Sequence, residues 1–187
     1  MAKVYEFIAN GSEEIEALTV VDVLRRAGVD IITVSTTGSK EAVLSHGVKI
    51  ECDTTIELAD VSDADMLLLP GGLPGATNLN DHEGVRDAML KQYNAGKKVG
   101  AICAAPLVLG GLGILNGKRA TCYPGFEDQM TGAEYTAEVF TIDGNVITGC
   151  GPAATLPYSY AILEMLGYGE QAAALREGMM FNKLLNF

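Results

Sequence analysis

The chain has 187 residues, 48% hydrophobic and 20% charged, the balance of one globular domain with a sizeable core. A formal charge of −11 offers no positive surface for phosphate backbones, which excludes nucleic acid as an expected partner. The first residues read as a strand rather than a leader, and the uncharged stretch Val99 to Gly117 is broken by five glycines and Pro106. No membrane span is therefore expected, and a cytoplasmic location is.

In chain order, Val4 to Ile8 reads as a strand, followed by a helix from Glu14 to Ala27, capped by Ser12 and closed by Gly28. Ile31 to Val34 is the second strand. Residues 36–62 are looser, with short strands around Val48 to Cys52. Met66 to Leu69 is a continuous apolar strand stopped by Pro70-Gly71-Gly72, and residues 82–95 form a helix. His82 at its start reads as a solvated residue. Val99 to Ile102 is the next strand, and Ala105 to Leu112 the next helix, with Pro106 tolerated in its first turn. Val139 to Ile142 and Val146 to Thr148 flank a tight turn at Asp143-Gly144. Helices at about Ala153 to Leu166 and Glu170 to Met180 finish the chain. Apolar strands alternating with helices imply an α/β domain over residues 1–187, with a mainly parallel sheet and helices on both faces.

Ligands of such sheets bind beyond the carboxyl ends of the strands, here residues 9–16, 70–76 and 103–106. Leu69-Pro-Gly-Gly-Leu-Pro-Gly75 matches no phosphate-binding motif. It is either a turn needing glycine or a bare backbone whose amides, that of Gly72 included, face a developing oxyanion. Cys103 ends its strand just before a helix, among Ala101, Ala104 and Ala105. It is either a small buried hydrophobe or a thiol on a nucleophile elbow, its pKa lowered by the helix dipole. Glu16 shares a helical stripe with Val20, Val23 and Ala27, away from the solvated positions Glu13, Asp22, Arg25 and Arg26. A carboxyl on that stripe is desolvated, so its pKa rises and it can carry protons to and from a thiol. The cysteines Cys52, Cys103, Cys122 and Cys150 form no Cys-x-x-Cys pair and stand far from His46 and His82, which argues against a metal.

Ile8-Ala-Asn-Gly-Ser-Glu-Glu-Ile-Glu16, Asp22-Val-Leu-Arg-Arg-Ala-Gly28, Leu69-Pro-Gly-Gly72, Ala101-Ile-Cys-Ala-Ala-Pro106 and Ile147-Thr-Gly-Cys-Gly-Pro152 together resemble the ThiJ/PfpI family. This family belongs to the class I glutamine amidotransferase-like superfamily, and its nearest branch holds protein deglycases and small bacterial relatives. The resemblance runs over essentially the whole chain. It implies a flavodoxin-like three-layer sandwich, usually a homodimer. It makes Cys103 the nucleophile or oxidation site, Glu16 its protonated partner, and the Gly72 and Ala104 amides the oxyanion donors, with Gly71, Tyr123 and His46 about the pocket. No cofactor and no metal are implied.

The chain departs from the family at three places. Tyr123 stands where many relatives carry a histidine, and a phenol with a free pKa of about 10 is a poor base at neutral pH. Proton transfer then falls on Glu16, and peptidase chemistry is disfavoured. His46 and Cys150 replace two arginines, which weakens attraction for an anionic substrate; Cys122 and Cys150 read as packing residues. The resemblance implies a glyoxalase- or deglycase-type enzyme acting on small reactive carbonyls through a hemithioacetal on Cys103. The alternative is an oxidative-stress sensor or chaperone-like protein whose Cys103 becomes a sulfinate. Thiazole monophosphate biosynthesis, a further family label, finds no phosphate cradle here.

Overall fold

A computed structural model describes residues 1–185. In chain order, β1 (Lys3–Ile8) leads to α1 (Glu14–Arg26) and β2 (Asp30–Ser35). A small hairpin, β3 (Glu41–Val43) and β4 (Lys49–Glu51), precedes β5 (Thr54–Thr55) and β6 (Met66–Leu69). Then come α2 (Gly75–Asp81), α3 (Glu83–Asn94), β7 (Lys98–Ile102) and α4 (Pro106–Gly111). The short β8 (Arg119–Ala120) and β9 (Glu134–Tyr135) pair with each other. A final hairpin, β10 (Phe140–Asp143) and β11 (Val146–Gly149), is followed by α5 (Thr155–Met165), α6 (Gly169–Gly178) and α7 (Phe181–Leu184).

Seven strands form the central sheet in the order β10-β11-β7-β6-β1-β2-β5, and every neighbouring pair is parallel except β10 with β11. Parallel pairing needs crossovers, and the helices that supply them cover both faces, so β6 is buried along its whole length. Alternation divides the core. Tyr5, Phe7, Leu67, Leu69 and Val99 pack under α2, α3 and α4, while Val4, Met66, Leu68, Ile102 and Ile147 pack under α1 and α5. This is the flavodoxin-like sandwich expected from the sequence. No helix among the described residues is long and apolar enough to cross a membrane.

The structure corrects several local expectations. The cap of α1 is Glu13, whose carboxylate accepts the Glu16 N–H at 2.8 Å. Ser12 instead accepts the Ala9 N–H at 3.1 Å within the preceding turn. Glu13 is accordingly buried, not solvated. Helix α2 follows directly on the glycine-rich turn, where no helix was expected, and half-buried His82 joins it to α3. In the last hairpin Asp143 pairs with Val146, so the turn residues are Gly144 and Asn145.

Candidate active site

The loops after β1, β6 and β7 meet at one end of the sheet. Gly75 donates its N–H to Gly11 C=O at 3.1 Å and Glu13 donates to Gly71 C=O at 3.0 Å, which ties the first two exits together. At the third, Cys103 has φ +62°, a left-handed conformation that costs a residue with a β-carbon roughly 1–2 kcal/mol. Its backbone is held on both sides: its N–H donates to Gly149 C=O and its C=O accepts the Tyr123 N–H, each at 2.8 Å. The strained strand-to-helix bend is the geometry of a nucleophile elbow.

Glu16 reaches this bend from the first turn of α1. Its side chain is fully buried, and Oε2 accepts the Gly71 N–H at 2.8 Å. The carboxyl also neighbours the Cys103 thiol, and each group bears on the other's proton. Gly71 makes this approach possible: a β-carbon there would stand 2.6 Å from both Cys103 Cβ and Glu16 Oε2. The amides of Gly72 and Ala104 are the backbone donors that bear on the thiol, and both favour its ionised form. Gly72, with φ +83°, holds the backbone turn that presents its amide.

Burial pushes the Glu16 carboxyl up to about 7; the bond to Cys103 acts against that, and the Glu13 charge adds to it. The thiol is also pushed up, first by burial and then by the negative charge of Glu16, while the Gly72 and Ala104 amides draw it down. The lowered thiol expected from a helix dipole is therefore not found. Helix α4 has only six residues and begins beyond the bend, and no cation stands among the groups that influence the sulfur most. Near neutral pH the pair thus holds a thiol beside a half-ionised carboxyl.

This arrangement predicts a pH-dependent stability. A carboxyl held at about 7 in the fold, against its ordinary 4.5, contributes stability that is complete below 4.5 and lost as pH rises through 7. For Glu16 the loss is about 3 kcal/mol. Urea unfolding at pH 5 and pH 8 should show a drop in stability that is smaller by about 2.5 kcal/mol in Glu16→Gln, part of the loss being already complete at pH 5. An unchanged drop would mean that the carboxyl titrates normally.

The sulfur lies at the floor of an opening of about 220 Å³ lined by Gly72, Leu73, Cys103, Ala104, Tyr123 and Phe126. Cys103 is 8% exposed, and Tyr123, 47% exposed, stands at the rim. Larger hollows lie at Arg25–Asp53 and beside α3, and neither is lined by a cysteine. Of the residues singled out in the sequence, Cys103, Glu16, Gly71, Gly72, Ala104 and Tyr123 come together. His46 does not line this opening. Its imidazole is exposed and its Nδ1 bonds Glu14 Oε2 at 2.8 Å, because the turn after β3 delivers it to the start of α1. Sequence reasoning missed Leu73 and Phe126, ordinary apolar residues in loops without a period. Glu13, Glu14 and His46 could offer three ligand atoms within 4.8 Å of one another. Both Glu14 oxygens are already engaged by Ser45 and His46, which speaks for a hydrogen-bonded cluster rather than a metal centre.

The DJ-1/PfpI family model matches residues 2–165. Protein DJ-1 homolog B of Arabidopsis thaliana is 38% identical over 165 residues, covering 88% of this chain but only 37% of its own length. A Caenorhabditis elegans protein named glutathione-independent glyoxalase is 29% identical over 174 residues, 92% of each chain. Among solved structures, oxidized Toxoplasma gondii DJ-1 superposes with a TM-score of 0.92 at 30% identity, covering 96% of this chain and 98% of that one.

Proposed function

The chain belongs to the DJ-1/PfpI family, and we propose that it is a cofactor-independent glyoxalase using Cys103 as nucleophile and Glu16 as proton carrier. The observation that carries this reading is the buried carboxyl within reach of a thiol at the floor of a small, mainly apolar opening. The name of the Caenorhabditis elegans relative supports the reaction class.

In the proposed sequence, the Glu16 carboxylate takes the thiol proton as sulfur adds to the aldehyde carbon of methylglyoxal or glyoxal, then passes it to the resulting alkoxide, giving a hemithioacetal and restoring the carboxylate. The Gly72 and Ala104 amides, which favour the ionised thiol, hold charge first on the thiolate and then on the adjacent oxygen. Glu16 removes the proton from the former aldehyde carbon and returns one to its neighbour, which leaves a thioester on Cys103. Water cleaves that thioester to a 2-hydroxy acid and restores the thiol. The net change is addition of one water, so no redox partner is needed. Reversal of early glycation adducts would use the same groups. The test is lactate production from methylglyoxal by the purified protein and by its Cys103 and Glu16 variants.

A second reading is favoured by the same two amides, which can hold the oxygens of a Cys103 sulfinate, with Glu16 donating to it below pH 7. Limited peroxide followed by peptide mass analysis tests it: oxygen added selectively at Cys103 without aldehyde turnover supports the sensor. We also propose that the chain pairs with a second copy. Ile15 and Leu18 on α1 are exposed and border one groove with Leu156 and Met179. Light scattering should give twice the chain mass for the native protein and the single mass for Leu18→Asp; a native monomer overturns the pairing.

A further inference from the structure

Beneath the thiol–carboxyl pair lie further buried polar atoms, two of them on residues with no part in the chemistry above. Among the described residues, Glu6 Oε2, Tyr158 hydroxyl and Glu16 Oε1 are buried without a hydrogen-bond partner. All three belong to one layer. Glu6, Leu68, Gly100 and Ile147 stand on one rung of the sheet. Leu68 and Ile147 face α1 and α5, and Glu6 faces them too. Gly100 leaves a notch in that rung: a β-carbon there would stand 2.7 Å from the Tyr158 hydroxyl, which fills the space from α5. Glu16 enters the layer from above on α1. Its Oε2 is committed to Gly71 and lies toward Cys103, so Oε1 is the oxygen left without a partner.

Three such atoms in one apolar layer are costly, at roughly 1–3 kcal/mol each, unless hydrogen bonds join them. The chemistry of the set is complementary. A neutral Glu6 and Tyr158 each carry an O–H to donate, and ionised Glu16 has an oxygen to accept. A buried water with two to four such partners is the ordinary way to join polar groups of this kind.

We propose that Glu6 and Tyr158 hold buried water in a relay that ends on Glu16 Oε1, making Glu6 a positioning residue for the acid beside Cys103. Charge on Glu16 is felt by both Glu6 and Tyr158, as expected of groups sharing one dry layer. The other ionisable groups that bear on the network are Arg25 near Glu6, Cys52 near Glu6, and Glu13, Cys103 and Cys150 near Glu16. Burial, and then the Glu16 charge, raise the Glu6 carboxyl well above the ordinary carboxylate range, which favours its neutral, donating form. Donation to Oε1 favours the ionised form of Glu16 and so readies it to take the thiol proton.

The inference rests on the assignment of Glu16 as the base for Cys103 but not on any aldehyde substrate. Its test therefore uses alkylation of Cys103 by iodoacetamide, followed by peptide mass across pH. Glu6→Leu and Tyr158→Phe should each move the midpoint upward, Glu6→Leu by about one pH unit for a tenfold loss of donor stabilisation. Glu6→Gln, which keeps donor hydrogens, should restore most of it. Infrared spectra of Glu16→Gln at pH 7, in which Glu16 contributes no carboxyl, should show a protonated carboxyl band that the further change Glu6→Gln removes, a reading that needs no variant without a polar group at this position. An unmoved midpoint in Glu6→Leu, an equal shift in Glu6→Gln, or the absence of the band would overturn the relay. Loss of methylglyoxal turnover alone, with the midpoints behaving as stated, would overturn the glyoxalase reading and leave the relay standing.

Discussion

Cys103→Ser is expected to reduce lactate formation from methylglyoxal to the uncatalysed level, and Glu16→Gln to slow it by about 10²–10⁴-fold. Serine fits the site, but its hydroxyl is far less acidic than a thiol and gives an ester in place of the thioester. Glutamine keeps the size of Glu16 and an oxygen for the Gly71 N–H, which the carboxylate accepts at 2.8 Å. It removes only the capacity to accept and return a proton. The two losses should be strongly non-additive, since each residue acts on the other's proton. Enzymatic lactate assay with thermal unfolding of each variant separates lost chemistry from lost folding. Lactate made at the native rate by either variant would refute the assignment.

Gly71→Ala should be nearly as damaging, although glycine contributes no functional group. The added carbon would stand 2.6 Å from Cys103 Cβ, 2.6 Å from Glu16 Oε2 and 2.9 Å from Ile102 C=O. The backbone carbonyl cannot swing aside, so the carboxyl and the elbow must separate. Displacement of about 1 Å in such a pair costs on the order of 10² in rate. Overpacking adds roughly 1–3 kcal/mol of destabilisation. The expected result is turnover down at least about a hundredfold in a protein that still folds. Native turnover in Gly71→Ala would mean that the contact is not needed. Gly71 thus serves as the spacer that lets acid and thiol meet.

Much of this was legible in the sequence because it depends on local rules. Met66 to Leu69 is apolar throughout, and only a strand covered on both faces asks for that. The spacing of Glu16 with Val20 and Val23 set the carboxyl on the buried stripe of α1, and all three are buried. Small residues around Cys103 indicated the bend. What escaped depends on contacts between distant segments. The exchange of Ser12 for Glu13 as cap follows from the fit of the first loop against Gly71, since Glu13 N–H bonds the Gly71 carbonyl. His46 was assigned to the pocket by resemblance, but its turn carries it to Glu14. The sequence left Cys103 either buried or lowered by a helix dipole, and the choice rests on burial, a property of the packed site that pushes the thiol up. Glu6 could have been noticed, for a charged residue inside an otherwise apolar strand is unusual.

A chain with this site works only if the buried carboxyl opens the thiol to reaction near neutrality. Iodoacetamide modification of Cys103, followed by peptide mass from pH 5 to pH 10, measures that directly in the native protein and in Glu16→Gln. The native rate should rise to a plateau with a midpoint near 7, where Glu16 ionises, whereas Glu16→Gln should stay slow until the thiol itself ionises at clearly alkaline pH. Superimposable profiles for the two proteins would contradict the account.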